Sequence, residues 1–202
     1  MDALTLLLNR SSQPRLNAPA PSGEALENIM QAALRAPDHA CLTPWRFIVC
    51  EGKGLDKLGS LYEQSAIEND KSQKEIERAV QLPHRAPMVV VAIAKHVEHE
   101  KVPRVEQIAS ASCGVMAMQM AAVAQGFNGM WRTGSYAQCD TVKRGFDLSD
   151  DDEIVGEDPV GMAPLAIRPL HADFRPFGRA EPQMHEAGSA RGVAPANLDR
   201  PV

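Results

Sequence analysis

Three short stretches of this 202-residue chain carry side chains able to grip an anion and a flat ring. Arg10, Ser11 and Ser12 follow a leucine-rich segment, and Arg35 and His39 bracket Pro37 in "RAPDHACLTPWRFIV" (35–49). Trp131, Arg132 and Thr133 make a mixed aromatic, cationic and hydroxyl cluster. Guanidinium and hydroxyl donors suit a phosphate, because charge-assisted hydrogen bonds are roughly twice as strong as neutral ones. Guanidinium and imidazole donors also suit the polar edge of a heterocycle, and an indole suits its face. Each cluster has an ordinary structural use as well: Arg10 as a solvated cation after a helix, Trp45 and Trp131 as core, Asp38 as a loop cap, Arg132 as surface charge.

Four chemistries compete for these residues. Metal binding would draw on His96 and His99 of "HVEH", with Glu98, Glu100, His39 and Cys41, but third and fourth ligands at recognised spacings are missing. Nucleophilic catalysis lacks a GxSxG elbow, and Cys113 lies inside a long uncharged segment where a thiol is expected to act as a small core hydrophobe. A dinucleotide fingerprint is absent, since neither "CGVMAMQ" nor "QGFNGMW" places GxGxxG between a strand and a helix. Flavin mononucleotide (FMN) needs cations and hydroxyls for its phosphate, donors where negative charge grows on reduction, and flat or apolar packing for its ring. The three clusters offer each of these types.

Positioning such a site requires a core. At 202 residues and 44% apolar content the chain predicts one domain. A net charge of -5 with 4% aromatic residues argues against a nucleic-acid partner. Four cysteines without a CxxC pair predict reduced thiols in the cytoplasm, and the N-terminus shows no basic leader or small-residue cleavage pattern. Residues 107–131 contain no charge, yet their Gln, Ser and Asn residues and their Ala and Met content predict a helix buried in protein rather than a membrane span. Burying such a helix on most sides in so small a domain predicts a homodimer.

Periodicity predicts helices over 3–9, about 23–34 with Ser22 as N-cap, 55–66, 74–81, about 105–127 and 141–146. Strands are predicted over 47–50 and 88–94, with an extended piece at 129–133 and another strand from Ile154. "MVVVAIA" (88–94), an unbroken apolar run, belongs at the centre of a sheet.

The order of these pieces resembles the nitroreductase family, within it the short bacterial NAD(P)H nitroreductase subgroup. The resemblance runs over about 1–156 and rests on "MDALTLLLNRSS", "RAPDHACLTPWRFIV", "EKVPRVEQ", "MAMQMAAVAQGFNGMWRTG" and "DEIVG". It implies an α+β fold, a mixed β-sheet flanked by helices, assembled as an intertwined homodimer with one FMN per subunit at the interface. By position, Arg10, Ser11 and Ser12 match the segment holding the flavin phosphate and ribityl chain, although the family usually has a second Arg where this chain has Ser11. Arg35 and His39 match flavin-contacting positions, and Trp131, Arg132 and Thr133 match a Trp-Arg-Ser segment. Ala121, Ala122, Val123, Ala124, Gln125 and Gly126 correspond to a segment that takes NAD(P), though "AAVAQG" also reads as the end of a buried helix with a Gly stop. The implied activity is ping-pong hydride transfer from NAD(P)H through FMN to a small electron-poor acceptor, with no protein acid or base required. A flavin-binding protein without turnover and a metal-dependent hydrolase are the competing readings.

The resemblance weakens after Gly156. Glu157, Asp158 and Pro159 are poor central-strand residues. The flavin-binding domain is therefore expected to span 1–162, and 163–202, rich in Pro, Ala, Arg and Gly, to form a divergent, disordered tail outside the site.

Overall fold

The computed structural model describes residues 2–161, without the side chains of 157–161. The expectation for 163–202 lies outside the described residues. In chain order the elements are α1 (Ala3–Asn9), α2 (Glu24–Ala33), β1 (Trp45–Glu51), α3 (Lys53–Glu68), α4 (Gln73–Gln81), β2 (Met88–Ala94), α5 (Arg104–Ala124), β3 (Asn128–Gly129), α6 (Asp140–Gly145) and β4 (Glu153–Gly161). Short 3-10 turns occupy His39–Cys41 and Pro83–Arg85. The α+β class expected from the sequence is present.

The strands form one sheet in the order β1-β2-β4-β3, and every pairing among the described strands is antiparallel. All seven residues of β2 are buried, as its unbroken apolar run requires of a strand covered on both faces. Its side chains alternate between two cores. Val89, Val91 and Ile93 join Leu55, Leu58, Tyr62 and Val142 beneath α3, α4 and α6. Val90, Ala92 and Ala94 join Ile29, Ala33, Val115 and Met118 beneath α2 and α5. Gly114 permits the close approach of α5 to α2, since a Cβ there would lie 3.1 Å from the Phe47 ring and 3.3 Å from the Ala33 carbonyl oxygen.

Three expectations need correction. Glu157, Asp158 and Pro159, expected to suit a central strand poorly, nevertheless continue β4 and pair with Val91, Val90 and Val89. The ladder is supplied by β2, and β3 covers β4 only at 160–161, so Pro159 needs to satisfy one neighbour rather than two. The N-cap of α2 is Gly23, at φ 53°, rather than Ser22. Cys113 is exposed rather than buried. It lies on the outer face of α5, where Val105, Ala109, Cys113, Met116 and Ala124 are all exposed at helical spacing.

The buried polar residues of α5 explain themselves by what they hold. Gln107, 2% exposed, accepts from the Val97 N–H at 2.8 Å and donates to the Val97 and Val102 carbonyls at 2.8 and 3.2 Å. It pins the loop leaving β2. Beside it Asp152, 1% exposed, accepts from Lys95 Nζ at 2.6 Å and from the N–H groups of His96 at 3.0 Å and Ser149 at 2.9 Å. Burial pushes the Asp152 carboxyl up, but these three donors more than offset it and hold its pKa down at about 2.

Candidate functional site

Arg10 sits at the C-terminal end of α1, a helix whose start is capped by Asp2 accepting from the Thr5 N–H at 3.0 Å. Its guanidinium turns back to α5, donating to Gln119 Oε1 at 3.2 Å and to Ser12 Oγ at 3.4 Å. Gln119 is 3% exposed, so the cation rests on a fixed acceptor. The following residues are tied down too: Gln13 donates through Nε2 to Ser11 Oγ at 3.1 Å and through its N–H to the Gly129 carbonyl at 3.2 Å.

That last bond brings the 10–13 segment beside the chain leaving β3. Here Trp131 donates from Nε1 to the Val155 carbonyl at 2.9 Å. Its indole fits only because residue 156 is glycine, for a Cβ there would lie 2.0 Å from Nε1. Arg10, Ser12, Met116, Gln119, Trp131 and Thr133 together line a cavity of about 350 Å³. Among the described residues its lining contains a guanidinium, two hydroxyls, an amide, a thioether and an indole, and no carboxylate. Such a set accepts an anion at one end and a planar group at the other.

Residues 7–162 match the sequence profile of the nitroreductase family. The chain belongs to the nitroreductase family. It is 50% identical over 156 residues to the "Putative NAD(P)H nitroreductase YdjA" of Escherichia coli K12, covering 77% of this chain and 85% of that protein. A Haemophilus influenzae relative named "Putative NAD(P)H nitroreductase" is 42% identical over the same shares. The fold is similar to that of a nitroreductase-like protein from Bacillus cereus, with a TM-score of 0.71 at 20% identity over 87% of this chain and 92% of that one. It is also similar to an FMN-dependent nitroreductase from Clostridium difficile, with a TM-score of 0.60 at 20% identity over 86% and 99%.

Within this family member, four of the residues singled out from the sequence, Arg10, Ser12, Trp131 and Thr133, share one cavity. Ser11 stands beside it. Arg132 points elsewhere, since alternate side chains of an extended segment face opposite ways, and it lines a different cavity with Tyr62, Arg85 and Tyr136. Arg35 and His39 are not brought to the Arg10 cavity within the protomer. His39 lines a separate one of about 230 Å³ with Pro37, Glu106, Ser110 and Cys113, and its Nδ1 lies 2.9 Å from Glu106 Oε2. Asp38 braces this loop by accepting from the Leu42 N–H at 3.1 Å and the Thr43 N–H at 2.8 Å. Those bonds hold Ala40, Cys41 and Thr43 at positive φ. Ser110 Oγ donates to the Pro37 carbonyl and ties the loop to α5. Arg35 is exposed, with no side-chain hydrogen bond or ion pair among the described residues.

The 121–126 segment forms the end of α5. Gly126, at φ 87°, closes the helix with its N–H on the Val123 carbonyl at 3.1 Å, and the Phe127 N–H reaches the Ala122 carbonyl at 3.0 Å. Gln125 bridges to α2, donating to the Ala25 carbonyl at 3.1 Å and accepting from Asn28 at 3.2 Å. None of the six lines the Arg10 cavity. Among the described residues no three His, Cys, Asp or Glu side chains gather as a metal site would require.

Sequence reasoning missed Met116 and Gln119. Gln119 carried a usable signal, because a polar side chain inside an uncharged helix must find a partner. Met116 carried only its spacing, one helical turn from Gln119.

Proposed function

We propose that the protein is an FMN-dependent NAD(P)H oxidoreductase acting as a homodimer, with each flavin held between two protomers. The observation that carries this reading is the cavity in which Arg10, Ser12, Trp131 and Thr133 converge from separate segments, with no carboxylate among the described residues that line it. Those residues fit FMN: Arg10 and Ser12 would hold the phosphate, Thr133 the polar chain or ring edge, and Trp131 with Met116 the ring environment. Bound FMN supplies the relay of a hydride from a nicotinamide donor to a small electron-poor acceptor, in two half-reactions at one place.

Arg35 and His39 then serve the site from the partner subunit. The exposed stripe of α5 supports this, because Cys113 borders the His39 cavity and Met116, one turn on, borders the Arg10 cavity. Antiparallel pairing of two α5 stripes would set one protomer's His39 loop against the other's Arg10 cavity. Leu4, Leu7 and Leu8 of α1, exposed at 68%, 59% and 74%, extend the same apolar surface. The chain's own residues bind, orient and exclude water, and none is assigned as acid or base. We carry the flavin-binding domain as 1–162, the protein as cytoplasmic, and 121–126 as the weakest of the cofactor assignments, since its side chains cap a helix and bridge to α2.

The test is an absorption spectrum with the oligomeric state of the purified protein, followed by NAD(P)H oxidation with a nitroaromatic acceptor. A yellow dimer that releases FMN on denaturation and oxidises NAD(P)H is expected. A colourless monomer that FMN cannot reconstitute would refute the reading, and a yellow dimer without NAD(P)H oxidation would leave a flavin-binding protein.

A further inference from the structure

We propose that a second small-molecule site lies on the opposite side of the 131–133 segment from the flavin cavity, and that it takes a small aromatic carboxylate. Trp131 and Thr133 face the flavin cavity, whereas Arg132 lines a separate cavity of about 110 Å³. Its floor is apolar and buried, formed by Leu58, Tyr62 and Val89, at 2%, 2% and 3% exposure. Tyr62 stacks on Tyr136 with ring centroids 4.3 Å apart and planes 22° from parallel, which gives the cavity a flat aromatic wall. The volume is near the scale, about 150 Å³, of an apolar cavity that holds one benzene ring.

Among the described residues the charge at this cavity is unanswered: Arg85, exposed, and Arg132, half-buried, both line it, and none of those residues that line it is Asp or Glu. Neither guanidinium makes an ion pair or side-chain hydrogen bond among the described residues, whereas Lys95, Arg104 and Arg144 are paired with Asp152, Glu153 and Glu68 at 2.6, 2.8 and 3.3 Å. Two uncommitted forks above an aromatic slot, in a chain of net charge -5, match a ligand with one ring and one carboxylate. A neutral ring would fill the slot and leave the cations unanswered. A bare phosphate would answer the cations and leave the floor wet.

This site does not depend on the flavin reading, because none of the six residues that line the Arg10 cavity lines this one. The experiment is a calorimetric titration of the full chain with benzoate, in the FMN-loaded and FMN-free forms. Benzoate is expected to bind both forms, and benzamide at least tenfold more weakly. Arg85→Gln should weaken benzoate at least tenfold, Arg85→Lys less, and Arg10→Ala not at all. Arg85 is exposed, so these variants should fold, and unchanged melting curves would show it. Three results would overturn the proposal: no benzoate binding below about 10 mM, binding indifferent to Arg85→Gln, or binding that requires FMN. The last would put benzoate over the flavin and leave the flavin reading intact.

Discussion

The two helical layers on the sheet end differently. Beneath α3, α4 and α6 the core is built from large side chains, and the outer surface carries exposed charges such as Lys57 and Glu68, the latter accepting from Arg144 at 3.3 Å. Beneath α2 and α5 the core is Ala-rich, and the outer face of α5 carries no charge from 107 to its end, although Cys113 and Met116 are exposed there. Covering the first surface would strip water from charges at high cost, whereas covering the second costs little and removes apolar area from water. The first layer is finished by solvent. On the proposed reading the second is completed by a second copy of the chain, and the candidate flavin cavity opens beside it.

The sharpest break of this contrast is a charge placed on each layer. Cys113→Glu puts a carboxylate at the middle of the α5 stripe, twice over in a two-fold dimer. An uncompensated buried charge costs about 3–5 kcal/mol, so dimer affinity should fall at least a hundredfold and FMN should be lost with it. Lys57→Glu on α3 should change neither. Light scattering and flavin content decide the matter, and a Cys113→Glu protein that stays a loaded dimer would show that α5 is not the interface.

Asp152 tests the end of the sheet where β2 finishes and β4 begins. Replacing it by Ala strands Lys95 and two N–H groups, with an expected loss of about 3 kcal/mol. The acid limb is more specific. The folded pKa of about 2 lies below the ordinary 3.8, so the stabilisation is complete above the ordinary value and disappears as pH falls through the folded one. Between about pH 5 and 2 the native protein should lose on the order of 2 kcal/mol that Asp152→Asn does not lose. Parallel acid-unfolding curves for the two proteins would remove Asp152 from the account.

How much of this could be read in the sequence depends on whether the signal is local. The apolar run of β2 and the uncharged run of α5 declare burial by composition, and both were legible. Arg10, Ser12, Trp131 and Thr133 were legible as types and by family resemblance, but their convergence on one cavity comes from the Gln13–Gly129 bond and the glycine at 156. Gln119 was not separable from Gln107, because the same residue type in the same helix cradles a cation in one place and pins a loop in the other. The exposure of Cys113 was hidden because a helix uncharged all round does not show which face meets the sheet. The continuation of β4 through Pro159 depends on β2, about 70 residues earlier in the chain.

Arg10→Ala acts at the edge of the unfinished layer. A charge-assisted bond to a phosphate is worth about 1.5–3 kcal/mol, so FMN affinity should fall roughly tenfold to a hundredfold. Riboflavin, without the phosphate, should bind almost as before. Equal losses for both flavins, measured by fluorescence titration, would move Arg10 away from the phosphate.

The smallest effect belongs to the finished layer. Ser72 caps α4 in a reciprocal box: its hydroxyl serves the Glu75 N–H while Glu75 Oε2 accepts from the Ser72 N–H at 3.0 Å. The Ser72 hydroxyl also donates to Glu75 Oε2 at 2.6 Å, and this bond, ahead of the Ser72 N–H, favours the charged carboxylate and lowers the pKa of Glu75. Ser72→Ala removes the hydroxyl from this box, together with its bond to Glu75 Oε2, and should cost about 1 kcal/mol. Since α4 packs on α3, away from the α5 stripe and from every residue of the Arg10 cavity, that loss should lower the melting temperature by a few degrees and leave dimer affinity and flavin content unchanged. If this exposed cap instead released FMN, the two layers would be coupled through the sheet, and the separation between a finished and an unfinished face would fail.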